Sequence, residues 1–243
     1  MTISANQPYF MPYFPYWQLI HASDVFFMCD DYAFIKGGWI NRNRIFCNGN
    51  VTYYRIDLEK LSFRKLISDI QMVALDIEKM LRTLQVNYRK MPHFQEGMSL
   101  MERILNHHER NLALFLRHSI EEVCNYLGIH TRLMRTSQIE GNDAFKGKER
   151  IYDLCHRMGA THYVNPIGGM KLYDSKEFEE QGIALAFIHS NVASHHPEDI
   201  TFANGLSIVD AVMRHSREEL HDLLDDYTLV DNEGKPVKSP LNI

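Results

Sequence analysis

The feature that most constrains this chain is a regular exchange of helical and extended segments between residues 112 and 188. Leu112 to Leu127 carries Leu112, Phe115, Leu116, Ile120, Val123, Cys124 and Leu127 at helical spacing, and Gly128 is a natural stop. His130 to Arg135 reads as a strand. Lys148 to Met158 is helical again, with Ile151, Leu154, Cys155 and Met158 on one face and Gly159 behind it. Thr161 to Asn165 is a short strand. Asp174 and Glu177 stand at capping-box spacing for a helix over Ser175 to Gln181. Gly182 stops it, and Ile183 to Ile188 is an apolar strand. Such alternation with short connections predicts parallel strands joined by crossover helices.

The opening of the chain fits the same sheet: a strand from Ile3, a Pro-punctuated turn and helix, then a strand from Asp24 to Asp30. The expected fold is a single α/β domain over 1–243, with a mostly parallel, Rossmann-like sheet. Leu61 to Asn106 differs. Phe63 to Val73 reads as extended and Leu75 to Arg89 as helical, with KMPHF as a break. The region 61–110 is therefore read as a helical insertion over the sheet. The tail, 228–243, has turn residues and little period, and is expected to lie loosely on the surface.

The formal net charge of -5 argues against nucleic acid as the main partner, because phosphate binding needs a basic surface. No run of about 18 apolar residues occurs, so no membrane span is expected. MTISANQPYF lacks the basic and long apolar regions of a secretory signal. Cys29, Cys47, Cys124 and Cys155 are widely spaced and form no zinc pattern, which suits reduced thiols in a cytoplasmic protein. No metal site is expected.

Ligands of open parallel sheets bind beyond the carboxyl ends of strands. The expected strands end at Asn6-Gln7-Pro8, Asp30-Asp31, Thr136-Ser137, Asn165-Pro166 and His189-Ser190, and every one of these ends is polar. Gln7 offers an amide donor and acceptor, while Tyr9, Tyr13 and Trp17 can stack on a base or sugar ring or pack as core. Asp30 or Asp31 can bind sugar hydroxyls, a metal or an amine. Lys36, Arg42 and Arg44, beside Trp39, Asn41 and Asn43, form a basic cluster suited to a diphosphate. Ser137 with Lys146 is a second place for an anion. The Asn165 to Tyr173 loop is a Gly-rich approach surface. His21 lies on the first helix. There is no Walker loop, nucleophile elbow or catalytic triad.

The run QPYFMPYFPYW followed by HASDVFFMCDDYAFIKGGWINRNRI resembles the opening signature of the WbqC-like proteins, through Gln7, Pro8, Tyr9, Pro12, Tyr13, Asp24, Asp30 or Asp31, Lys36, Trp39, Asn41, Arg42 and Ile45. Pro15 stands where the family pattern has Gly. The similarity continues through SQIEGNDAFKGKERIYDLCHRMGATHYVNPIGGMKLYD to LSIVDAVM, roughly residues 3 to 213. The resemblance implies a role in O-antigen or related polysaccharide biosynthesis. More finely, it implies N-acyl transfer, of a glycyl or other aminoacyl-type group, to the amine of a nucleotide-linked deoxyamino sugar. Asp30 or His21 would take the amine proton. The basic cluster would hold the diphosphate and the aromatics the sugar or base. The opening strand, turn and helix are also similar to a HIGH-type nucleotidyltransferase, although Pro15-Tyr16 replaces the Gly-His step. That likeness implies ATP and an acyl-adenylate. A carrier-protein thioester and an aminoacyl-tRNA are equally open donors. A non-catalytic nucleotide-sugar binding or scaffold protein is the alternative reading.

Overall fold

The structure is a computed structural model that describes residues 1–47, 49–59 and 64–237. In chain order its elements begin β1 (Thr2–Asn6), α1 (Phe14–His21), β2 (Val25–Met28), β3 (Arg42–Cys47) and β4 (Asn50–Arg55). Next come α2 (Ile77–Tyr88), α3 (Phe94–Leu105), α4 (Leu112–Leu127), β5 (Arg132–Arg135), α5 (Lys148–Met158) and β6 (His162–Pro166). The last are α6 (Ser175–Glu179), β7 (Ala184–Ser190), α7 (Val192–His195), α8 (Ile200–Ala203), α9 (Ile208–Arg214), α10 (Arg217–Asp222) and β8 (Tyr227–Val230).

One six-stranded sheet has the order β5-β2-β1-β6-β7-β8. Its first five strands are parallel, and β8 runs antiparallel along β7. Taking the parallel strands in chain order, this is the doubly wound 3-2-1-4-5 arrangement of Rossmann-like folds. The helix stops read from the sequence are present. Gly128 and Gly159 cap α4 and α5 at φ 73° and 65°, a left-handed conformation that costs glycine little. Asp174 caps α6 by accepting from the Lys176 and Glu177 N–H groups.

Both faces of the sheet are covered, as a parallel sheet requires. All four residues of β2 are buried. Phe26 packs into the core with α1 and α4, whereas Phe27 packs on the opposite side with Ile151, Leu154 and Phe178. Each such buried ring contributes roughly 2–3 kcal/mol by leaving water. Ser4 is the polar exception. Its hydroxyl accepts from Ser23 Oγ at 2.7 Å beneath α1, so a small residue brings helix and sheet close together.

Three regions differ from the sequence reading. Asn41 to Arg44, read as a polar cluster, opens the β3–β4 hairpin. Within 61–110, α2 and α3 form a layer on α4 and α9. Residues 67–69 make a single 3-10 turn where Phe63 to Val73 was expected to be extended, and Leu61 to Phe63 lie outside the described residues. Tyr227–Val230, at the start of the expected loose tail, is the edge strand β8. The expectation for 238–243 also lies outside the described residues. No helix among the described residues is long and apolar enough to cross a membrane.

The hairpin is tied to the body by a buried carboxylate. Asp210 of α9 is fully buried and accepts the Phe46 N–H with both oxygens at 3.3 Å. Burial pushes its carboxyl up to about 7 from 3.8, against the opposing pull of the Tyr88 hydroxyl, the Phe46 N–H and Arg214. The folded state therefore keeps a proton that the unfolded state has released. This contribution to stability is complete below about pH 4 and is lost as the pH rises through about 7. Asp210→Asn keeps the acceptor and removes the titration. Urea unfolding from pH 4 to pH 8 is expected to give a shallower stability loss in the variant. Parallel pH profiles would show that Asp210 does not titrate in this range.

Candidate functional site: a tyrosine-lined cleft at the sheet's switch point

From β1 the chain crosses to β2 on one side, and from β6 to β7 on the other. The carboxyl ends of these adjacent strands therefore diverge, which is where doubly wound sheets open a crevice. A cleft of about 790 Å³ lies there. Its floor is Asn6 and Gln7 from the end of β1, Asn165 to Gly169 from β6, and Ile188 to Ser190 from β7. One wall is the turn Tyr9 to Tyr16 with Trp39, Asn43 and Arg44, and another is Thr201 to Leu206. Tyr32, Tyr163, Leu172 and Tyr173 complete it.

The opening turn is shaped by bonds that its own sequence supplies. Met11 sits at φ 47°, an uncommon left-handed position for a side chain of this size. It is held because Ser207 Oγ donates to its carbonyl at 2.8 Å. The next carbonyl, Pro12, accepts from the Trp17 indole at 3.1 Å and from Ile208 N–H at 3.0 Å. Phe10 N–H donates to Ile40 carbonyl at 3.0 Å. Tyr16 donates to the Gln7 carbonyl at 3.0 Å. Pro15 occupies the first turn of α1, where a missing N–H costs nothing. The Gln7 side chain makes no hydrogen bond to another described residue and is free for a ligand.

Across the cleft, a Cβ on Gly169 would fall 1.7 Å from Asn165 Nδ2. Glycine there lets the loop close over the Asn165 amide, whose oxygen accepts from Tyr163 at 3.2 Å. Burial raises the phenols of Tyr9, Tyr13, Tyr32, Tyr163 and Tyr173, so all are neutral near pH 7. Cys29 also touches the cleft, but burial pushes its thiol up to about 12, which excludes a thiolate nucleophile. Cys155 is likewise pushed to about 12 and Cys124 is raised by burial. Iodoacetamide at pH 7.5 is expected to leave these three unmodified in the folded protein. Rapid labelling of Cys29 would contradict this.

The charged groups of the cleft are few. Arg44 is its permanent cation and His189 its imidazole, and no carboxylate is among its described lining residues. Gln7, Tyr9, Tyr13, Trp39, Asn43, Arg44, Asn165 and Tyr173, singled out in the sequence, are brought together here.

The other sequence candidates lie elsewhere, each with a physical reason. Asp30 is fully buried, with Ser137 N–H at 3.0 Å, Ser137 Oγ at 2.8 Å and Arg135 Nη1 at 3.2 Å. It ties the end of β2 to the end of β5, and Ser137 is spent on the same contact. Asp31 pairs with Arg150 at 2.6 Å and Thr136 at 2.6 Å. Trp17 is completely buried and braces the turn. Asn41 donates to the Ile56 carbonyl at 2.8 Å. Arg42 is held by the Gly37 and Gly38 carbonyls and lies over Tyr53 at 4.3 Å. Lys36 and Lys146 are exposed away from the cleft. His21 ends α1, at the amino end of the sheet, and pairs with Asp225 at 3.3 Å.

Sequence reasoning noted His189 only as a polar strand end, and it did not single out Tyr32, Tyr163 or Thr201. Tyr163 is an interior strand residue, and Thr201 comes from a helix distant in sequence. No local signal marks either.

Fold and cleft together define a Rossmann-like α/β protein with an open cleft at the switch point of its sheet. A family model for the WbqC-like protein family matches residues 7–222. The chain belongs to that family. It is also similar to Rv1507c, an uncharacterised protein of Mycobacterium tuberculosis (strain ATCC 25618 / H37Rv), with 31% identity over 189 residues, covering 76% of this chain and 80% of the relative. No solved structure matches the chain.

Proposed function

We propose that this cleft binds a nucleotide-linked deoxyamino sugar and carries N-acyl transfer, of a glycyl or other aminoacyl-type group, to its amine. Membership of the WbqC-like family supports a role in polysaccharide biosynthesis. The observation that carries the finer reading is the lining of the cleft: tyrosine rings, the Asn165 amide and the unbonded Gln7 amide around one arginine and one histidine, with no carboxylate among the described lining residues. Neutral rings and amides suit the faces and hydroxyls of a sugar. The absence of a carboxylate matters for the amine. A carboxylate would hold it as an unreactive ammonium, whereas a nearby cation favours the neutral nucleophile.

In the proposed reaction, the amine nitrogen attacks the activated acyl carbonyl and a new C–N bond forms. The bond from carbonyl to leaving group breaks. His189, with no partner among the described residues, receives the amine proton. The activated donor is an acyl-adenylate, a thioester or an aminoacyl ester. The burial of Asp30 beneath Arg135 and Ser137 also favours a second reading, a non-catalytic nucleotide-sugar binding protein, since the expected carboxylate base is spent in structure.

Binding is tested first, by calorimetry with a nucleotide-linked amino sugar. Gln7→Ala is expected to weaken it by about 0.5–1.5 kcal/mol, the worth of an ordinary hydrogen bond. Arg42→Ala, outside the cleft, is expected to leave it unchanged. A large loss in Arg42→Ala with none in Gln7→Ala would move the site out of the cleft, to the Arg42–Tyr53 end of the hairpin.

A further inference from the structure

Two polar atoms on one side of the cleft are buried without a partner: Arg44 Nε and Thr201 Oγ1. Thr201 is 1% exposed, and both residues line the cleft. A buried N–H or hydroxyl with no partner costs stability, and such a group at a cleft wall marks a place where a ligand completes the bonding. The two are held in one corner. The Leu206 N–H donates to the Thr201 carbonyl at 2.9 Å, closing the turn that carries Asn204 and Gly205. Arg44 Nη2 donates to the carbonyls of those two residues at 2.8 and 3.2 Å. The guanidinium is thereby fixed, with its Nε–H left over. A Cβ on Gly205 would sit 3.4 Å from Arg44 Nη2 and 3.8 Å from the Tyr13 ring, so glycine permits this close fit. Arg44 also lies over the Trp39 ring at 5.5 Å.

We infer that the Arg44–Thr201 corner is the phosphoryl subsite of the cleft, taking an anionic oxygen of a diphosphate on the Arg44 Nε–H and the Thr201 hydroxyl. This deepens the proposed function and rests on it for the nature of the whole substrate. It also gives the cleft a direction. The diphosphate lies at the Tyr13–Trp39 end, and the sugar amine points across the floor toward Gln7, Asn165 and His189. An oriented arginine and a hydroxyl accept a tetrahedral oxyanion, and the neighbouring Asp199 carboxylate, which accepts the Thr201 N–H at 2.7 Å, does not line the cleft and is paired with His215 at 2.8 Å.

The test uses the full chain and inorganic pyrophosphate, followed by calorimetry and by acrylamide quenching of tryptophan emission. Trp17 is fully buried and Trp39 is 38% exposed, so quenching reports on the corner. Pyrophosphate is expected to bind and to protect Trp39. Thr201→Val should weaken binding about 3- to 10-fold, and Arg44→Lys at least about 10-fold, with unfolding midpoints checked to show that both variants are folded. No pyrophosphate binding by the native protein overturns the inference, as does equal binding by folded Thr201→Val and Arg44→Lys. Pyrophosphate binding here without binding of any nucleotide-linked amino sugar leaves the subsite standing and removes the proposed function. Binding of such a sugar, unaffected by either variant, does the reverse.

Discussion

Asp30→Ala is expected to destabilise the protein by about 3–5 kcal/mol, the usual result of stripping one partner from a buried ion pair. The carboxylate is completely buried and has three donors: Ser137 N–H, Ser137 Oγ and Arg135 Nη1. Its removal leaves the Arg135 guanidinium, whose Nε is already buried without a partner, and a backbone N–H unpaired between β2 and β5. The Coulomb attraction is not the main quantity. Desolvation of the abandoned donors is. Asp30→Asn keeps an acceptor and should lose less. Urea midpoints at constant slope give the values. A loss under about 1 kcal/mol for Asp30→Ala would mean that water reaches these donors and that Asp30 is not part of the frame.

His189→Gln is expected to lower turnover in the proposed acyl transfer about 10²- to 10⁴-fold, while changing affinity for the nucleotide-linked sugar only a few-fold. Glutamine offers hydrogen bonds at a similar reach but cannot take up a proton near neutral pH. His189 stands where β7 ends, exposed to the cleft, with no partner among the described residues, as a group that must both receive and release a proton requires. Parallel loss of binding and turnover would make it a ligand-holding residue instead.

The parallel strands were legible because buried strands are apolar runs and because Gly128, Gly159 and Gly182 end the segments before β5, β6 and β7. Gln7 and Asn165 were legible for a related reason, since a polar residue after an apolar strand lies at the sheet's carboxyl end. The same rule misdirected the reading of Asp30. A carboxylate after a strand reads alike whether it faces a ligand or braces the next strand, and only the position of Arg135 and Ser137 separates the two. Arg42 and Arg44 were likewise inseparable. They share one face of β3, two residues apart, and what distinguishes them is which carbonyls capture each guanidinium, Gly37 and Gly38 for one and Asn204 and Gly205 for the other. Those partners are local for Arg42 and about 160 residues away for Arg44. The hairpin was hidden by its polar start, INRNR, and β8 by the acidic and turn residues on either side of YTLV.

The proposed reaction in this cleft is the joining of an acyl group to a sugar amine. It is tested most directly by mass spectrometry of the native protein incubated with nucleotide-linked amino sugars and an acyl donor. Three donors are supplied in turn: glycine with ATP, an acyl thioester, and an aminoacyl-tRNA. The expected product is a nucleotide sugar heavier by one acyl group, formed by the native protein and nearly abolished in His189→Gln. No acylated product with any donor, while the nucleotide sugar binds in the cleft, would contradict it and leave a binding protein in its place.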